Sequence, residues 1–216
     1  MGDMKRALSF YVKCYQHLNP QSPTYLDNMI IAYLGRNVKE YRRNCLKFLE
    51  ELKLTCPICS GNTSFHDSYD RHVHVGEEIE WISLFRVICV RCGKTHAIIP
   101  DFIRPYKHYS ACDAELVLRD QEDGIPLEEI ETDASISTLR RWVAEFRHRG
   151  RQALGALRSI LYRHYGKFVN ELKVAGTKLF GMIERILGLL PEVESSHLAI
   201  GEANMWLTNH MAGVFV

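Results

Sequence analysis

The fold is decided by residues 56–96, CPICSGNTSFHDSYDRHVHVGEEIEWISLFRVICVRCGKTH. Two Cys-x-x-Cys pairs, Cys56/Cys59 and Cys89/Cys92, offer four thiolates at the spacing typical of structural zinc sites. The 29 residues between the pairs are enough for a β-hairpin whose base would bring both pairs to one ion. We therefore predict a zinc ribbon, over residues 53–99, in which all four cysteines hold one structural Zn²⁺.

The residues around the pairs support this prediction. Gly93 directly follows the second pair and can adopt the left-handed turn that aims backbone amides at a thiolate, and Gly61 follows the first pair closely. Four cysteines complete a tetrahedral zinc site, so nearby histidines are expected to be exposed or hydrogen-bonded strand residues. These histidines are His66, His72, His74 and His96.

The segment between the pairs predicts two strands, near residues 64–75 and 79–88, with a turn at Gly76, Glu77 and Glu78. Both faces of the second strand carry apolar side chains, such as Trp81 on one face and Leu84 on the other. Both faces are therefore expected to contact protein, and the ribbon is expected to pack against neighbouring segments.

The flanking segments predict helices. Residues 1–52 contain ALSFYVKCYQHL, YLDNMIIAYL and VKEYRRNCLKFLEEL, and the last has the three-and-four apolar spacing of a buried helix face. PDFIRPYKHY, residues 100–109, holds two prolines and predicts a linker. Residues 151–216 predict a C-terminal helical region. The predicted fold class is mainly α with a small β zinc ribbon.

Residues 110–150 predict a helix-turn-helix with three short helices, at 113–122, 127–132 and 137–148, and Ser137 is the expected N-cap of the third. An apolar stripe on the third helix faces the other two. The remaining side chains have the composition of a DNA-reading face, because arginine contacts guanine edges or phosphate and hydroxyls hold phosphate oxygens. The alternative is a solvated basic helix. The candidate DNA contacts are Ser135, Ser137, Thr138, Arg140, Arg141, Glu145, Arg147 and His148.

Composition and missing motifs exclude several classes. An odd total of seven cysteines argues against a secreted disulfide framework, and the sequence has neither a signal peptide nor a long apolar span. A cytoplasmic protein without a membrane anchor is expected. No phosphate-binding glycine loop, metalloprotease or serine-hydrolase motif occurs, so an enzyme is not expected. The net charge of +1 hides a basic segment after residue 140.

Five stretches, GRNVxxYRR, CPIC, CVRCGKTH, PDFIRPYKHYS and STLRRW, resemble an uncharacterised bacterial family of zinc-ribbon plus helix-turn-helix proteins. The module order is also similar to that of the DNA-binding front ends of insertion-sequence transposases and of their small accessory proteins. The resemblance implies zinc at the four cysteines and DNA recognition by the helix from Ser137 to His148.

We therefore expect a non-enzymatic protein that binds double-stranded DNA in the nucleoid, as an accessory or regulatory protein of a mobile element or in transcription. The alternative is a protein-interaction adaptor. It would dock a transposase, another partner or a second copy through the zinc ribbon and the apolar C-terminus, SSHLAIGEANMWLTNHMAGVFV.

Overall fold

Where it is described, the chain combines one mixed β-sheet with a helix between the first two strands and further helices after the last strand. The computed structural model describes residues 29–51, 54–169, 178–191 and 198–210. Over these residues the elements are β1 (Met29–Ala32), α1 (Val38–Glu51), β2 (Thr63–Val75), β3 (Glu78–Cys89), β4 (Thr95–Pro100), α2 (Ala111–Glu122), α3 (Ile136–Tyr165), α4 (Leu179–Leu187) and α5 (Ala199–Asn209). The helix predicted within ALSFYVKCYQHL lies outside the described residues.

The sheet has the strand order β1-β4-β3-β2. The β2–β3 hairpin is antiparallel, as predicted, and its register pairs Thr63 with Cys89 at one end and Val75 with Glu78 at the other. Strand β4 runs antiparallel to β3 and parallel to β1. The sheet is therefore larger than a ribbon hairpin, because a strand from the N-terminal segment extends it.

The prediction of a mainly α fold with a small β ribbon is wrong. The described chain is about 47% helix and 25% strand, and its strands form one four-stranded mixed sheet. Strand β1 lies within YLDNMIIAYL, which the apolar pattern predicts as a helix. All four of its residues are buried, and such a short apolar run is compatible with either structure until a partner strand is known.

Both faces of the hairpin contact protein, but they are covered to different extents. Arg42 of α1 forms an ion pair of 2.8 Å with Glu80 of β3. This contact places α1 on the face that also carries Leu84, which is fully buried. On the opposite face Ile79 is 60% exposed and Trp81 is 61% exposed. This outer face is exposed at Ile79 and Trp81 but is partly covered beside them, since His72, which pairs with Trp81, stacks on His108.

The helix-turn-helix predicted for residues 110–150 is not formed as predicted. The first helix is present as α2, but the second is only a 3₁₀ turn over Leu127–Glu129. The turn ends at Ile130, whose backbone is extended and whose side chain is buried, so no second helix reaches Thr132. The N-cap of α3 is Ser135 rather than Ser137, because the Ser135 hydroxyl accepts a hydrogen bond from the Thr138 amide.

Helix α3 continues for 30 residues instead of ending at His148. Gly150 does not end it, because this glycine is buried against α4, and a Cβ there would lie 2.9 Å from Leu179 Cδ2. The apolar face continues beyond it with Leu157 and Leu161, both fully buried. The helix ends at Gly166, whose φ of 62° is the left-handed conformation that glycine adopts without strain.

Carboxylates of α2 hold the two C-terminal helices. Neither α4 nor α5 has a side-chain cap of its own. Glu122 accepts hydrogen bonds from the Phe180 amide at 3.0 and 3.1 Å, and Glu115 accepts one from the Ile200 amide at 3.2 Å. These carboxylates satisfy amides at the positive ends of α4 and α5. Glu115 and Glu122 therefore have a structural role.

The apolar C-terminal segment packs on its own chain where it is described. Met205, Trp206 and Leu207 of α5 are at most 3% exposed. Residues 214–216 lie outside the described part. No helix in the described ranges is long and apolar enough to cross a membrane.

Candidate metal centre and basic helix

The four cysteines lie in two turns at the base of the hairpin. The first turn, residues 56–61, precedes β2, and the second, residues 89–94, joins β3 to β4. Because Thr63 pairs with Cys89, the turns are adjacent, and a hydrogen bond of 3.0 Å from the Val90 amide to the Asn62 carbonyl joins them. The hairpin therefore brings the two Cys pairs together, as predicted.

The two turns share one backbone pattern. In each, the amide of the first cysteine donates to the carbonyl five residues later, and its carbonyl accepts from the amide four residues later. The bonds are Cys56 N to Gly61 O (2.8 Å), Ser60 N to Cys56 O (2.8 Å), Cys89 N to Lys94 O (2.8 Å) and Gly93 N to Cys89 O (2.9 Å). Such matched turns are what two zinc knuckles require.

In each turn, the fourth residue after the first cysteine has a left-handed backbone conformation. It is Gly93 in the second turn, with a φ of 69°, as the sequence predicts. In the first turn it is Ser60, with a φ of 57°, and not the following Gly61. Gly61 is required for a different reason, since a Cβ there would lie 3.1 Å from Cys89 Sγ and 2.9 Å from Arg91 Cβ. It allows the two turns to approach each other.

The four sulfurs form a plausible metal-binding site. All four lie within 4.8 Å of one another, with Cys56 and Cys92 Sγ 3.7 Å apart and Cys59 and Cys89 Sγ 3.5 Å apart. A disulfide would need about 2 Å, so the thiols are free. In a tetrahedral zinc site with Zn–S bonds of about 2.3 Å, neighbouring sulfurs are about 3.8 Å apart. The donor type and the spacing both fit such a site.

The thiols differ in acidity. The amide of Cys92 donates to Cys89 Sγ at 3.4 Å and lowers the pKa of Cys89 to about 6. Burial raises the pKa of Cys56 to about 12. A divalent cation would hold all four groups as thiolates by replacing their protons, so metal affinity should fall as the pH falls.

His96 lies against the site without joining the ligand set. It is fully buried, and its Nε2 is 3.2 Å from Cys56 Sγ. In the Nε2–H tautomer it donates to this sulfur, and such contacts orient metal ligands. On the hairpin, His72 stacks on His108 with ring centroids 4.1 Å apart, and His74 stacks on Tyr109 at 4.6 Å. Within the described ranges, the four cysteines are the group placed to hold a metal ion.

Gly61→Ala is expected to weaken metal binding at least about tenfold, because its methyl group would push apart the two turns that carry the ligands. Competition with a chromophoric zinc chelator measures the affinity. The matched control is Gly93→Ala, whose Cβ would meet nothing within 4 Å and which costs only the strain of a left-handed residue. Unchanged affinity in Gly61→Ala would show that the close approach is not needed.

The candidate DNA contacts lie at the start of α3 but on more than one side of it. Glu145 is partly buried, and its carboxylate is held by Lys107 at 2.9 Å and Arg149 at 3.2 Å. Arg140 forms an exposed ion pair of 3.1 Å with Glu128. Thr138 is partly exposed. The other candidate DNA contacts are exposed, namely Ser135, Ser137, Arg140, Arg141, Arg147 and His148.

The full length of α3 aligns arginines that the shorter predicted helix does not include. Arg140, Arg147, Arg151 and Arg158 follow at intervals of seven, four and seven residues. At 3.6 residues per turn the four residues fall on one side of the helix, within an arc of about 40° around its axis, and they extend over about 27 Å along it. We call these four residues the arginine stripe. Glu145, the one acidic residue of α3, lies off this side.

Comparison with known proteins gives one similarity. A family model described as a domain of unknown function, DUF6431, matches residues 56–142, which is less than half of the chain. The matched stretch begins at the first cysteine of the metal site and ends in the second turn of α3. It includes the whole metal site but only Arg140 of the arginine stripe. Neither a curated protein nor a solved structure matches the chain.

Proposed function

We propose that the protein is a non-enzymatic DNA-binding protein in which zinc stabilises the ribbon and the arginine stripe of α3 binds the phosphates of duplex DNA. The stripe is the observation that supports this proposal most strongly. Arginine neutralises phosphates and is suited to bidentate contacts with them. Four arginines on one side of a rigid helix, with no carboxylate of α3 between them, favour a linear polyanion as the partner.

Zinc is the metal that we propose for the cysteine site. Four thiolates are soft ligands that suit zinc, and a tetrahedral four-sulfur set leaves no position open for a substrate. The metal would then be architectural. Its binding would close the two turns, fix the end of β3 and set the start of β4.

The segment after β4 connects the metal site to the basic helix. Residues 101–110, the connecting segment, include the predicted linker except Pro100, which ends β4, and residues 101–105 are buried. Lys107 forms an ion pair with Glu145 of α3, and the Arg104 guanidinium lies 4.8 Å from the Trp142 ring centroid. The ring of Tyr109 meets Trp142 edge to face. Ordering of β4 by zinc would therefore help to hold α3 in place.

The proposed role of DNA binding is accessory or regulatory, as the sequence resemblance to transposase-associated proteins implies. A nucleoid location follows from this proposal. One observation favours the alternative, a protein-interaction adaptor. The outer face of the hairpin exposes Ile79 and Trp81, and exposed apolar side chains that lie together are common at protein interfaces.

Salt-dependent binding to duplex DNA tests the proposed function. We expect the zinc-loaded protein to bind a labelled duplex of about 20 base pairs, two helical turns. The logarithm of the binding constant should decrease linearly as the logarithm of the salt concentration increases. The expected slope is about −3 to −4, because up to four phosphates are neutralised. Fluorescence anisotropy measures the binding constant at each salt concentration. Absence of binding at about 50 mM salt would contradict the proposal and favour the adaptor.

A further inference from the structure

The arginine stripe leads into a groove at the C-terminal end of α3. The groove has a volume of about 300 Å³, and Arg158, the last residue of the stripe, lies in its wall. Gly155 and Tyr162 of α3 line it, together with Lys167 and Phe168 from the segment that follows the helix. The groove therefore joins two cationic side chains to two aromatic rings.

The two rings of the groove are unusually exposed. Phe168 is 80% exposed and Tyr162 is 61% exposed, and their rings meet edge to face at 6.2 Å. Large aromatic side chains are normally buried, because their exposure forfeits the hydrophobic stabilisation of a large apolar area. Exposed aromatic rings beside cations are the arrangement on which proteins stack the bases of single-stranded nucleic acid.

The charges of the groove match a phosphate. Lys167 lines the groove, and its Nζ donates to the Leu189 carbonyl at 2.8 Å, a neutral acceptor that does not cancel the charge of the ammonium. Arg158 lies about 10 Å along the helix from Arg151 of the stripe, at 1.5 Å per residue. A strand whose phosphates follow the stripe would thus bring its next nucleotide to the groove.

We propose that this groove binds one unpaired nucleotide at the end of the duplex held by the arginine stripe. The base stacks on Phe168 or Tyr162, and its phosphate pairs with Arg158 and Lys167. This inference rests on the proposed function, which it extends by naming the DNA structure that is recognised: a duplex with a single-stranded overhang.

Three labelled DNAs test the proposal in the zinc-loaded full chain: a blunt duplex, and the same duplex with a short 5′ or 3′ overhang. The overhang carries 2-aminopurine, a base whose fluorescence is quenched by stacking. Overhangs of both polarities are used. We expect one overhang to bind about tenfold more tightly than the blunt duplex, because stacking of one base contributes that much. Its fluorescence should be quenched on binding.

Two variants separate the groove from the stripe. Phe168→Ala removes a ring, and Gly155→Leu places a side chain in the groove, where a Cβ meets nothing within 4 Å. Leucine is a good helix former, and neither change alters charge. Both should reduce the affinity for the overhang to that for the blunt duplex, whose own affinity stays unchanged. Gly155→Ala adds only one methyl group and should retain the preference for the overhang.

The outcomes distinguish the two proposals. Equal affinity for overhang and blunt duplex in the wild type, without quenching, would overturn the groove proposal and leave the stripe proposal intact. Failure of the wild type to bind either duplex would overturn the proposed function. In that case a single-stranded oligonucleotide that carries 2-aminopurine tests the groove proposal. Quenching of its fluorescence that Phe168→Ala abolishes would support base binding, and an absence of quenching would overturn it.

Discussion

Cys56→Ser is expected to abolish tight zinc binding and to lower the free energy of unfolding by at least about 3 kcal/mol. Cys56 Sγ is fully buried and contacts both Cys92 Sγ and His96 Nε2, so water cannot easily replace the missing ligand. A serine hydroxyl is a poorer zinc ligand than a thiolate, because zinc in such sites prefers soft donors. For a chain of this length, the change corresponds to a decrease in Tm of about 6–12 °C.

Elemental analysis and thermal unfolding in reducing buffer measure this effect. We expect about one zinc per chain in the wild type and almost none in Cys56→Ser. Cys112→Ser is the matched control, because Cys112 is an exposed free thiol outside the cluster. Its zinc content and Tm should be those of the wild type. A Cys56→Ser protein with one bound zinc and an unchanged Tm would show that the cysteine cluster is not the metal site.

The double change Arg147→Ala with Arg151→Ala is expected to weaken binding to duplex DNA by about 10- to 100-fold at moderate salt. The two residues lie one helical turn apart at the centre of the stripe, and both are exposed. Because two phosphate contacts are lost, the slope of the logarithm of the binding constant against the logarithm of the salt concentration should become shallower by about 2. Zinc content and Tm should not change, since neither residue contacts the metal site.

The control for this experiment is Arg149→Ala with Arg163→Ala, which removes the same charge from other sides of the same helix. Arg149 forms an exposed ion pair with Glu145, a kind of contact that contributes little to stability. We expect close to wild-type affinity in the control, measured by anisotropy on the same duplex. An equal loss in both double variants would indicate binding by overall charge and not by the stripe. Full affinity in Arg147→Ala with Arg151→Ala would exclude the stripe as the DNA-binding surface.

Local patterns in the sequence predicted the metal site and its hairpin. The Cys-x-x-Cys spacing limits which sulfurs can share one ion, and the alternating β-formers between the pairs leave little choice but a hairpin. The apolar spacing of residues 38–52 likewise predicted α1, which spans Val38–Glu51. Each of these features depends on residues close together in the chain. None needs a distant partner to be recognised.

Long-range contacts decided the features that the sequence did not predict. Met29–Ala32 is a strand because it pairs with β4, more than 60 residues away. Leu179, nearly 30 residues beyond Gly150, packs against this glycine, so α3 continues through it. The arginine stripe could be read from the spacing of Arg140, Arg147, Arg151 and Arg158, but only once the helix is known to continue to Tyr165.

The sequence by itself determined the four thiols, their spacing and the hairpin that brings them together, because these follow from short-range geometry. The tertiary structure alone decided that the hairpin belongs to a four-stranded sheet and that the last helix of the expected helix-turn-helix extends into one long basic helix. Strand pairing and helix packing depend on which distant apolar surfaces bury each other, and periodicity within one segment does not specify that choice.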